Sequence, residues 1–211
     1  MIQLNKENII TIGDQSESVA TLFWFHGYGA NNWSFEPSMK MLNLLLDDRL
    51  FIVIPNAPEI DGRRSWYPLP QINSSNNIVE DHEGLKKSQA ELKNLFDNFS
   101  HDSKNIIGGF SQGAALSLSY IFEKIRSFHG CIALSGYMPS ADKYEQQEIQ
   151  DTNIFIAHGK EDNVIKFDSY IKTLEFLKRK TNKIEKFEGD FGHTITKDVT
   201  TQMTNWLMKI L

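Results

Sequence analysis

The sequence has few of the features that mark disulfide-rich, metal-binding or membrane proteins. Cys131 is the only cysteine, so the chain can form no internal disulfide and no cysteine-rich metal site. No segment approaches the roughly 20 consecutive apolar residues of a membrane-spanning helix, and the first residues lack the basic start and apolar core of a secretion signal. We therefore expect a soluble, cytoplasmic protein without stable membrane insertion, in which Cys131 is a buried structural residue.

Basic charge is also scarce. The chain has 22 Lys and Arg against 27 Asp and Glu, which gives a formal net charge of -5, and its basic residues stand singly or in pairs. Because no basic patch is available to neutralise phosphate groups, nucleic-acid binding is not expected. The glycine-rich stretch HGYGAN (26–31) lacks both the G-x-G-x-x-G pattern and the lysine of nucleotide-binding loops, so a nucleotide cofactor is not expected either.

Apolar runs of strand length alternate with stretches of helical periodicity along the chain. The runs mostly lack polar alternation, which is typical of strands buried on both faces of a parallel sheet. They cover residues 19–25, 50–54, 105–109, 130–134, 153–157 and 184–188. A further, antiparallel strand is predicted at the edge of the sheet over residues 9–13. The pattern predicts an α/β fold with a mostly parallel central sheet and helices on both faces, and the length fits one domain over residues 1–211.

Helical stripes lie between the predicted strands. Apolar residues recur at helical spacing within residues 35–45, 85–99, 171–177 and 199–210. The segment after Ser111 is apolar around more of its circumference, with small residues in its first turn. It is predicted to be the most buried helix.

Residues 55–80 break the alternation. They contain four of the six prolines and show neither strand nor helix periodicity, which predicts a long loop. Trp66, Tyr67 and Leu69 within this loop need a surface to pack on. They either seal the edge of the core or line a substrate groove.

The stretch GFSQG (109–113) matches the G-x-S-x-G pattern of a nucleophile elbow. It follows a predicted strand and opens a predicted helix, which is the context that the pattern requires. Glycines two positions either side of Ser111 let strand and helix approach closely, and the helix N-terminus offers free backbone N–H groups to a developing oxyanion. The alternative is an ordinary flexible turn that happens to contain a serine. An acid and a base elsewhere in the chain, placed to reach Ser111, would favour the nucleophile over the incidental turn.

A serine nucleophile needs a base and an acid that orients the base. In α/β-hydrolases the chain order is serine, acid, histidine, and only three of the six histidines follow the serine. His193 is the strongest candidate base, because it lies in the loop after the last predicted strand, at the edge of the sheet where Ser111 also lies. The loop after the preceding strand offers Glu161 and Asp162 as the acid. His158, just before them, is interpreted as a structural turn residue.

Two backbone N–H groups are candidates for an oxyanion hole. Gln112 follows the nucleophile and is predicted to give the first. Tyr28 follows the first core strand, in the stretch FHGYGANN (25–32), and is predicted to give the second through its backbone.

Together these segments resemble the phospholipase/carboxylesterase family of α/β-hydrolases, which includes acyl-protein thioesterases and small bacterial carboxylesterases. The resemblance runs along nearly the whole chain. It is carried by FWFHGYGAN (23–31), IPNAP (54–58), RSWYPL (64–69), VEDHEGL (79–85), GGFSQGAALSLSY (108–120), ALSGYMP (133–139), AHGKEDNVI (157–165) and GHTI (192–195).

The resemblance implies an α/β-hydrolase fold without a cap domain. It implies Ser111 as nucleophile, Asp162 rather than its neighbour as orienting acid and His193 as base. It also implies Tyr28 and Gln112 at the oxyanion hole.

The loop around Trp66 is the part of the chain that bears on substrate binding. The resemblance implies that Trp66 lies beside the acyl groove and binds substrate. The stretch GRRSW (62–66) departs from several thioesterase-like members, which have longer and more apolar sequence here, and this leaves specificity for acylated proteins open. Arg63 and Arg64 either attract an anionic substrate or are solvated surface charges.

We expect a serine hydrolase that cleaves carboxylic esters, thioesters or lysophospholipids through an acyl-serine intermediate, with no metal and no cofactor. The expected partner is a small-molecule acyl substrate. Two alternatives remain at this point: a catalytically silent binding protein that uses the 55–80 loop as its interaction surface, and a peptidase on the same fold.

Overall fold

The computed structural model describes residues 8–72, 78–100, 104–123, 125–149 and 151–211. Eleven strands are found in this part of the chain. In chain order they are β1 (Ile9–Ile12), β2 (Ala20–Phe25), β3 (Leu50–Pro55), β4 (Glu59–Ile60), β5 (Arg63–Arg64), β6 (Gln71–Ile72), β7 (Ile78–Val79), β8 (Asn105–Phe110), β9 (Gly130–Leu134), β10 (Asn153–Gly159) and β11 (Ile184–Gly189).

Seven of these strands form the central sheet, in the order β1-β3-β2-β8-β9-β10-β11. Neighbouring strands are parallel throughout, except that β1 runs antiparallel to β3 at one edge. The six apolar runs and the antiparallel edge strand predicted from the sequence are therefore confirmed, with ends that differ by at most two residues.

Five α-helices within the described residues cover the sheet. They are α1 (Glu36–Leu44), α2 (His82–Phe99), α3 (Gln112–Phe122), α4 (Phe167–Lys178) and α5 (Lys197–Ile210). Short 3-10 helices lie at Asn32–Ser34 and Ala141–Tyr144, and the second of them is in the connection between β9 and β10. No helix built from the described residues combines the length and the apolar character needed to span a bilayer.

The buried apolar residues in the described part of the chain form two clusters, one on each face of the sheet. Because side chains alternate along a strand, Phe23 and Phe25 of β2 point into one cluster and Leu22 and Trp24 into the other. The first cluster contains side chains of α2, α3 and α4, and the second contains side chains of α1 and α5. Helices on both faces are thus confirmed. Every residue of α3 is buried, as its apolar circumference predicts.

The structure corrects the prediction that residues 55–80 form an irregular loop. β4 pairs with β5, and β6 pairs with β7, in two short antiparallel hairpins, although residues 73–77 lie outside the described part. Asp61 and Gly62 have φ angles of 51° and 74° at the tip of the first hairpin. An Asp-Gly pair is a preferred two-residue hairpin turn, because both positions need a positive φ. Two-residue strands are too short to show periodicity.

The parallel strands bring several loops to one edge of the sheet. The segments after β2, β8, β9, β10 and β11 all leave from the carboxyl ends of neighbouring strands. These five segments contain all the residues predicted for the nucleophile, acid, base and oxyanion hole.

Candidate active site

Ser111 lies at the turn from β8 into α3, with a φ of 57° and a ψ of -118°. A positive φ is unfavourable for a residue with a side chain, and such strain persists only where surrounding structure holds it. The backbone N–H of Ser111 donates to the carbonyl of Leu134 at 2.9 Å, which ties the turn to the end of β9. The serine is therefore held in the strained conformation that the nucleophile-elbow pattern predicts.

The flanking glycines are needed because β2 passes very close to the turn. A Cβ atom added at Gly109 would lie 2.4 Å from the carbonyl oxygen of Phe25, and one added at Gly113 would lie 2.1 Å from the same atom. Any side chain at either position would push the strand and the helix apart. The G-x-S-x-G spacing thus has a steric cause in this fold.

The structure brings Ser111, His193 and Asp162 together in one hydrogen-bonded path. The Nε2 atom of His193 lies 3.0 Å from the Ser111 hydroxyl, and its Nδ1 atom lies 2.7 Å from Oδ2 of Asp162. A carboxylate only accepts hydrogen bonds, so the proton of a neutral His193 ring lies on Nδ1 and leaves Nε2 free to accept the serine proton. Glu161, the other candidate acid, points to solvent instead.

The Asp162 carboxylate is buried and fully engaged. Its Oδ1 atom accepts hydrogen bonds from the backbone N–H groups of Val164 at 2.8 Å and Ile165 at 2.9 Å. These two bonds compensate the loss of water around a buried charge and fix Oδ2 toward His193. The ring of Phe110 lies 4.7 Å from the His193 ring, centroid to centroid, and packs against it.

His158 is a neighbour of the acid that lies in β10 and not in a turn. It is fully buried, and its Nε2 atom lies 2.8 Å from the carbonyl of Ile165 and 3.4 Å from Oδ2 of Asp162. Burial lowers the pKa of His158, so the ring is neutral and donates through Nε2. Its ring also packs on Tyr170, with centroids 5.2 Å apart. These contacts favour a structural role for His158, and the contact with Asp162 is one that the sequence does not predict.

The two candidate oxyanion donors lie on segments that approach Ser111. Gln112 is the first residue of α3, where a backbone N–H has no acceptor within the helix. Gly27, next to Tyr28, passes so close that a Cβ added to it would lie 3.3 Å from Cβ of Ser111.

The side chain of Gln112 has a second role that the sequence did not reveal. Its Oε1 atom accepts from the backbone N–H of Trp66 at 3.0 Å, and its Nε2 atom donates to the carbonyl of Tyr67 at 2.7 Å. Nε2 also donates to the hydroxyl of Ser65 at 3.0 Å. The residue beside the nucleophile is therefore bound to the loop after β5.

Trp66 is only 1% exposed, so its side chain offers no surface to a substrate in this structure. Its ring packs against Phe25 and His26, with centroids 5.0 and 5.1 Å apart, and its Nε1 donates to the carbonyl of His26 at 2.7 Å. The contacts fit the alternative in which the aromatic residues of this loop seal the edge of the core. Tyr67 is buried in the same way, while Leu69 is exposed.

The two arginines of β5 have different surroundings. Arg64 is half-buried and donates through Nη1 to the carbonyl of Ala57 at 3.0 Å. Arg63 is exposed and its guanidinium lies 5.9 Å from the ring centroid of Tyr28, within cation–π range. Arg64 is thus part of the loop structure, while Arg63 is an exposed charge beside Tyr28.

His26 connects the end of β2 to the segment after β3. The ring is buried, its Nε2 atom accepts from the backbone N–H of Ala57 at 3.0 Å and its Nδ1 atom donates to the carbonyl of Gly27 at 2.8 Å. Burial lowers the pKa of His26 to about 4, and the nearby Arg64 adds to the effect, so the ring is neutral at pH 7.

The chain is similar to several known proteins. A family model described as Phospholipase/Carboxylesterase matches residues 5–211. Acyl-protein thioesterase 1 of Candida albicans is 30% identical, over 93% of this chain and 94% of that protein. A protein of Dictyostelium discoideum, acyl-protein thioesterase 1 homolog 1, is 27% identical over 91% of each.

Two solved structures share the fold. The crystal structure of Zea mays acyl-protein thioesterase 2 superposes with a TM-score of 0.83 at 20% identity, over 96% of this chain and 98% of that one. The Bacillus cereus carboxylesterase superposes with a TM-score of 0.77 at 18% identity, over 96% and 94%. The family model covers nearly the whole chain, and these neighbours have the same architecture. The chain therefore belongs to the phospholipase/carboxylesterase family and has an α/β-hydrolase fold.

Proposed function

We propose that this chain hydrolyses carboxylic esters or thioesters through an acyl-enzyme on Ser111, with His193 as general base and acid and Asp162 as the orienting carboxylate. The observation that carries the proposal is the position of the His193 ring, with one nitrogen 3.0 Å from the serine hydroxyl and the other 2.7 Å from a buried carboxylate. Serine hydroxyls are weak nucleophiles at neutral pH, and this arrangement supplies the base that they need.

In the first half-reaction the Ser111 oxygen attacks the acyl carbon, and its proton passes to Nε2 of His193. The carbonyl oxygen becomes an oxyanion, which the backbone N–H groups of Gln112 and Tyr28 stabilise. The tetrahedral intermediate then collapses. The bond from the acyl carbon to the leaving oxygen or sulfur breaks, and the leaving group takes the proton from His193.

In the second half-reaction a water molecule attacks the acyl-serine and gives its proton to His193. The new tetrahedral intermediate collapses, the serine oxygen takes the proton back, and the carboxylic acid leaves. Asp162 accepts a hydrogen bond from Nδ1 throughout and stabilises the imidazolium form of His193 in each transition state. The reaction needs no metal and no cofactor.

Acyl thioesters are the substrates suggested by the relatives, several of which are named acyl-protein thioesterases. We include simple esters because acyl transfer to serine proceeds by the same steps with either leaving atom, and lysophospholipids because they are esters too. A matched series of p-nitrophenyl esters and acyl thioesters of increasing chain length tests this proposal. Hydrolysis by the wild type, with turnover by the Ser111→Ala variant lower by several orders of magnitude, is expected, and equal activity in both proteins would contradict the proposal.

We also propose that the protein is cytoplasmic and does not bind nucleic acid. A net charge of -5 argues against nucleic acid as a partner, and the lone buried cysteine fits the predicted cytoplasmic location. Cell fractionation with a tagged full-length chain tests the location.

The hydrogen-bonded path from Ser111 to Asp162 argues against the alternative of a catalytically silent binding protein, because such a protein has no need of a polarised serine. Labelling with a fluorophosphonate probe separates the two. Labelled Ser111 supports the hydrolase, and folded protein that takes up no label supports the silent alternative. Turnover of amides at rates comparable to esters would instead favour a peptidase.

A further inference from the structure

Residues 64–67, which we call the bracing segment, lie between the two parts of the chain that carry the proposed oxyanion donors. One part is the start of α3 with Gln112, and the other is the segment after β2 with Tyr28. In an oxyanion hole the two donors must both lie 2.7–3.1 Å from one oxygen, roughly the range of ordinary hydrogen bonds. The reaction rate should therefore depend on the distance between the two N–H groups, and the bracing segment contacts both parts of the chain that carry them.

On the α3 side the contact is the Gln112 side chain, which is 4% exposed. Its amide spans the bracing segment, because Oε1 accepts from the Trp66 N–H at 3.0 Å while Nε2 donates to the Tyr67 carbonyl at 2.7 Å. Ser65 completes the contact: its hydroxyl accepts from the Gln112 amide at 3.0 Å and donates to the Tyr67 carbonyl at 2.6 Å. An amide offers a donor and an acceptor side by side, and both are used here.

On the β2 side the bracing segment holds the chain before and after Tyr28. The Trp66 indole N–H donates to the carbonyl of His26 at 2.7 Å, and the carbonyl of Arg64 accepts from the N–H of Gly29 at 2.8 Å. The peptide that bears the Tyr28 N–H lies between these two anchored points.

We propose that the Gln112 side chain, together with Ser65 and Trp66, acts as a positioning group that sets the separation of the two oxyanion donors. The inference rests on the proposed hydrolase function. It also gives a reason for glutamine at the variable position of the elbow, where any residue supplies the same backbone N–H. A shift of the donors weakens their bonds to the transition state more than their contact with the ground-state substrate, so kcat falls while KM changes little.

The test uses Gln112→Met, which keeps the length of the side chain but removes the amide, and Trp66→Phe, which keeps a ring but removes the N–H to His26. The matched control is Ser88→Ala. The Ser88 hydroxyl donates to the carbonyl of Trp66 from α2, so this variant also removes one bond to the bracing segment, but from a helix that carries neither donor.

Three quantities are measured for each protein: kcat and KM on a p-nitrophenyl ester, the inhibition constant of an alkyl trifluoromethyl ketone, and the midpoint of urea unfolding. Ser111 adds to the ketone carbon, its proton passes to His193, and the ketone oxygen becomes an oxyanion in the hole. The inhibition constant therefore reports on the donors.

For Gln112→Met we expect kcat to fall about 10- to 100-fold and the inhibition constant to rise by a similar factor, with KM nearly unchanged. Trp66→Phe should show the same pattern at about 3- to 10-fold. Ser88→Ala should leave kcat and the inhibition constant within about twofold of the wild type, whatever it does to the unfolding midpoint.

Two results would overturn the proposal. One is a loss of kcat in Gln112→Met and Trp66→Phe without any weakening of the ketone. The other is an equal loss in Ser88→Ala, which would make the effect one of general stability. Failure of the proposed function would look different, because then the wild type itself would neither hydrolyse the ester nor bind the ketone.

Discussion

The Nδ1 atom of His193 lies 2.7 Å from Oδ2 of Asp162, while Oδ1 of the same carboxylate is held by two backbone N–H groups. One carboxylate oxygen is thus anchored to its own loop and the other is aimed at the histidine. Because the two oxygens have different roles, we expect activity to depend on both the charge and the acceptor atoms of Asp162.

We predict that Asp162→Asn lowers kcat on a p-nitrophenyl ester by about 10⁴-fold, because an amide nitrogen facing Nδ1 stabilises the wrong tautomer of His193. The control is Glu161→Gln, which makes the same chemical change one residue earlier, at an exposed side chain. It should leave kcat unchanged. A similar loss in both variants would mean that the acid is not Asp162 alone.

Removal of the nucleophile gives a second prediction. Ser111→Ala should lower turnover by about 10⁴- to 10⁶-fold, since only the residual effect of binding and the oxyanion hole remains. The loss of the hydroxyl should leave the fold intact. Circular dichroism and the urea unfolding midpoint check the fold, and steady-state kinetics check the turnover. Activity within tenfold of the wild type would exclude Ser111 as the nucleophile.

Gly113 gives a prediction about stability rather than chemistry. In Gly113→Ala the new Cβ would lie 2.1 Å from the Phe25 carbonyl oxygen, so β2 and α3 must separate. We expect the free energy of unfolding to fall by about 3 kcal/mol or more. The matched control is Gly192→Ala, where the nearest heavy atom would lie 3.8 Å away and ordinary packing accommodates the methyl group. Urea denaturation of both proteins measures the difference.

The sheet and the three polar side chains of the candidate site could be predicted from the sequence for one physical reason. The carboxyl ends of parallel strands lie at the same edge of the sheet, so a residue that follows one apolar run lies near the residues that follow neighbouring runs. Ser111, Asp162 and His193 each follow a run of this kind. Glu161 follows the same run as Asp162, and only the family resemblance favours Asp162 over it.

Contacts of the 55–80 region could not be predicted in this way. The Gln112 side chain binds three residues that lie 45 to 47 positions earlier in the chain, and none of them lies in an element with periodicity. The burial of Trp66 depends on the same contacts. Only the Asp61-Gly62 pair carries a local signal, a preferred hairpin turn, and the flanking strands of two residues each are too short to support it.

His158 gives a prediction that separates its structural role from a catalytic one. In His158→Met the carbonyl of the half-buried Ile165 loses its donor, and we expect the free energy of unfolding to fall by about 1–3 kcal/mol. His158→Gln keeps a donor at a similar reach and should lose less than half as much. Because Asp162 retains its two backbone bonds, kcat should fall less than tenfold in both variants. A loss of kcat as large as that of Asp162→Asn would assign His158 a direct part in the reaction.

The buried His26 makes the fold sensitive to mild acid. The pKa of His26 is about 4 in the folded chain, against about 6.5 for an unperturbed histidine. Between these values the unfolded chain binds a proton that the folded chain does not, so the free energy of unfolding falls as the pH is lowered. From pH 7.5 to pH 5 this single group should cost about 2 kcal/mol, and the lowered pKa of His158 acts in the same direction. Urea titrations of the wild type and of His26→Gln test this: the variant is less stable at pH 7.5, but it should lose less stability on going to pH 5. Equal losses in the two proteins would show that other groups set the acid limit of the fold.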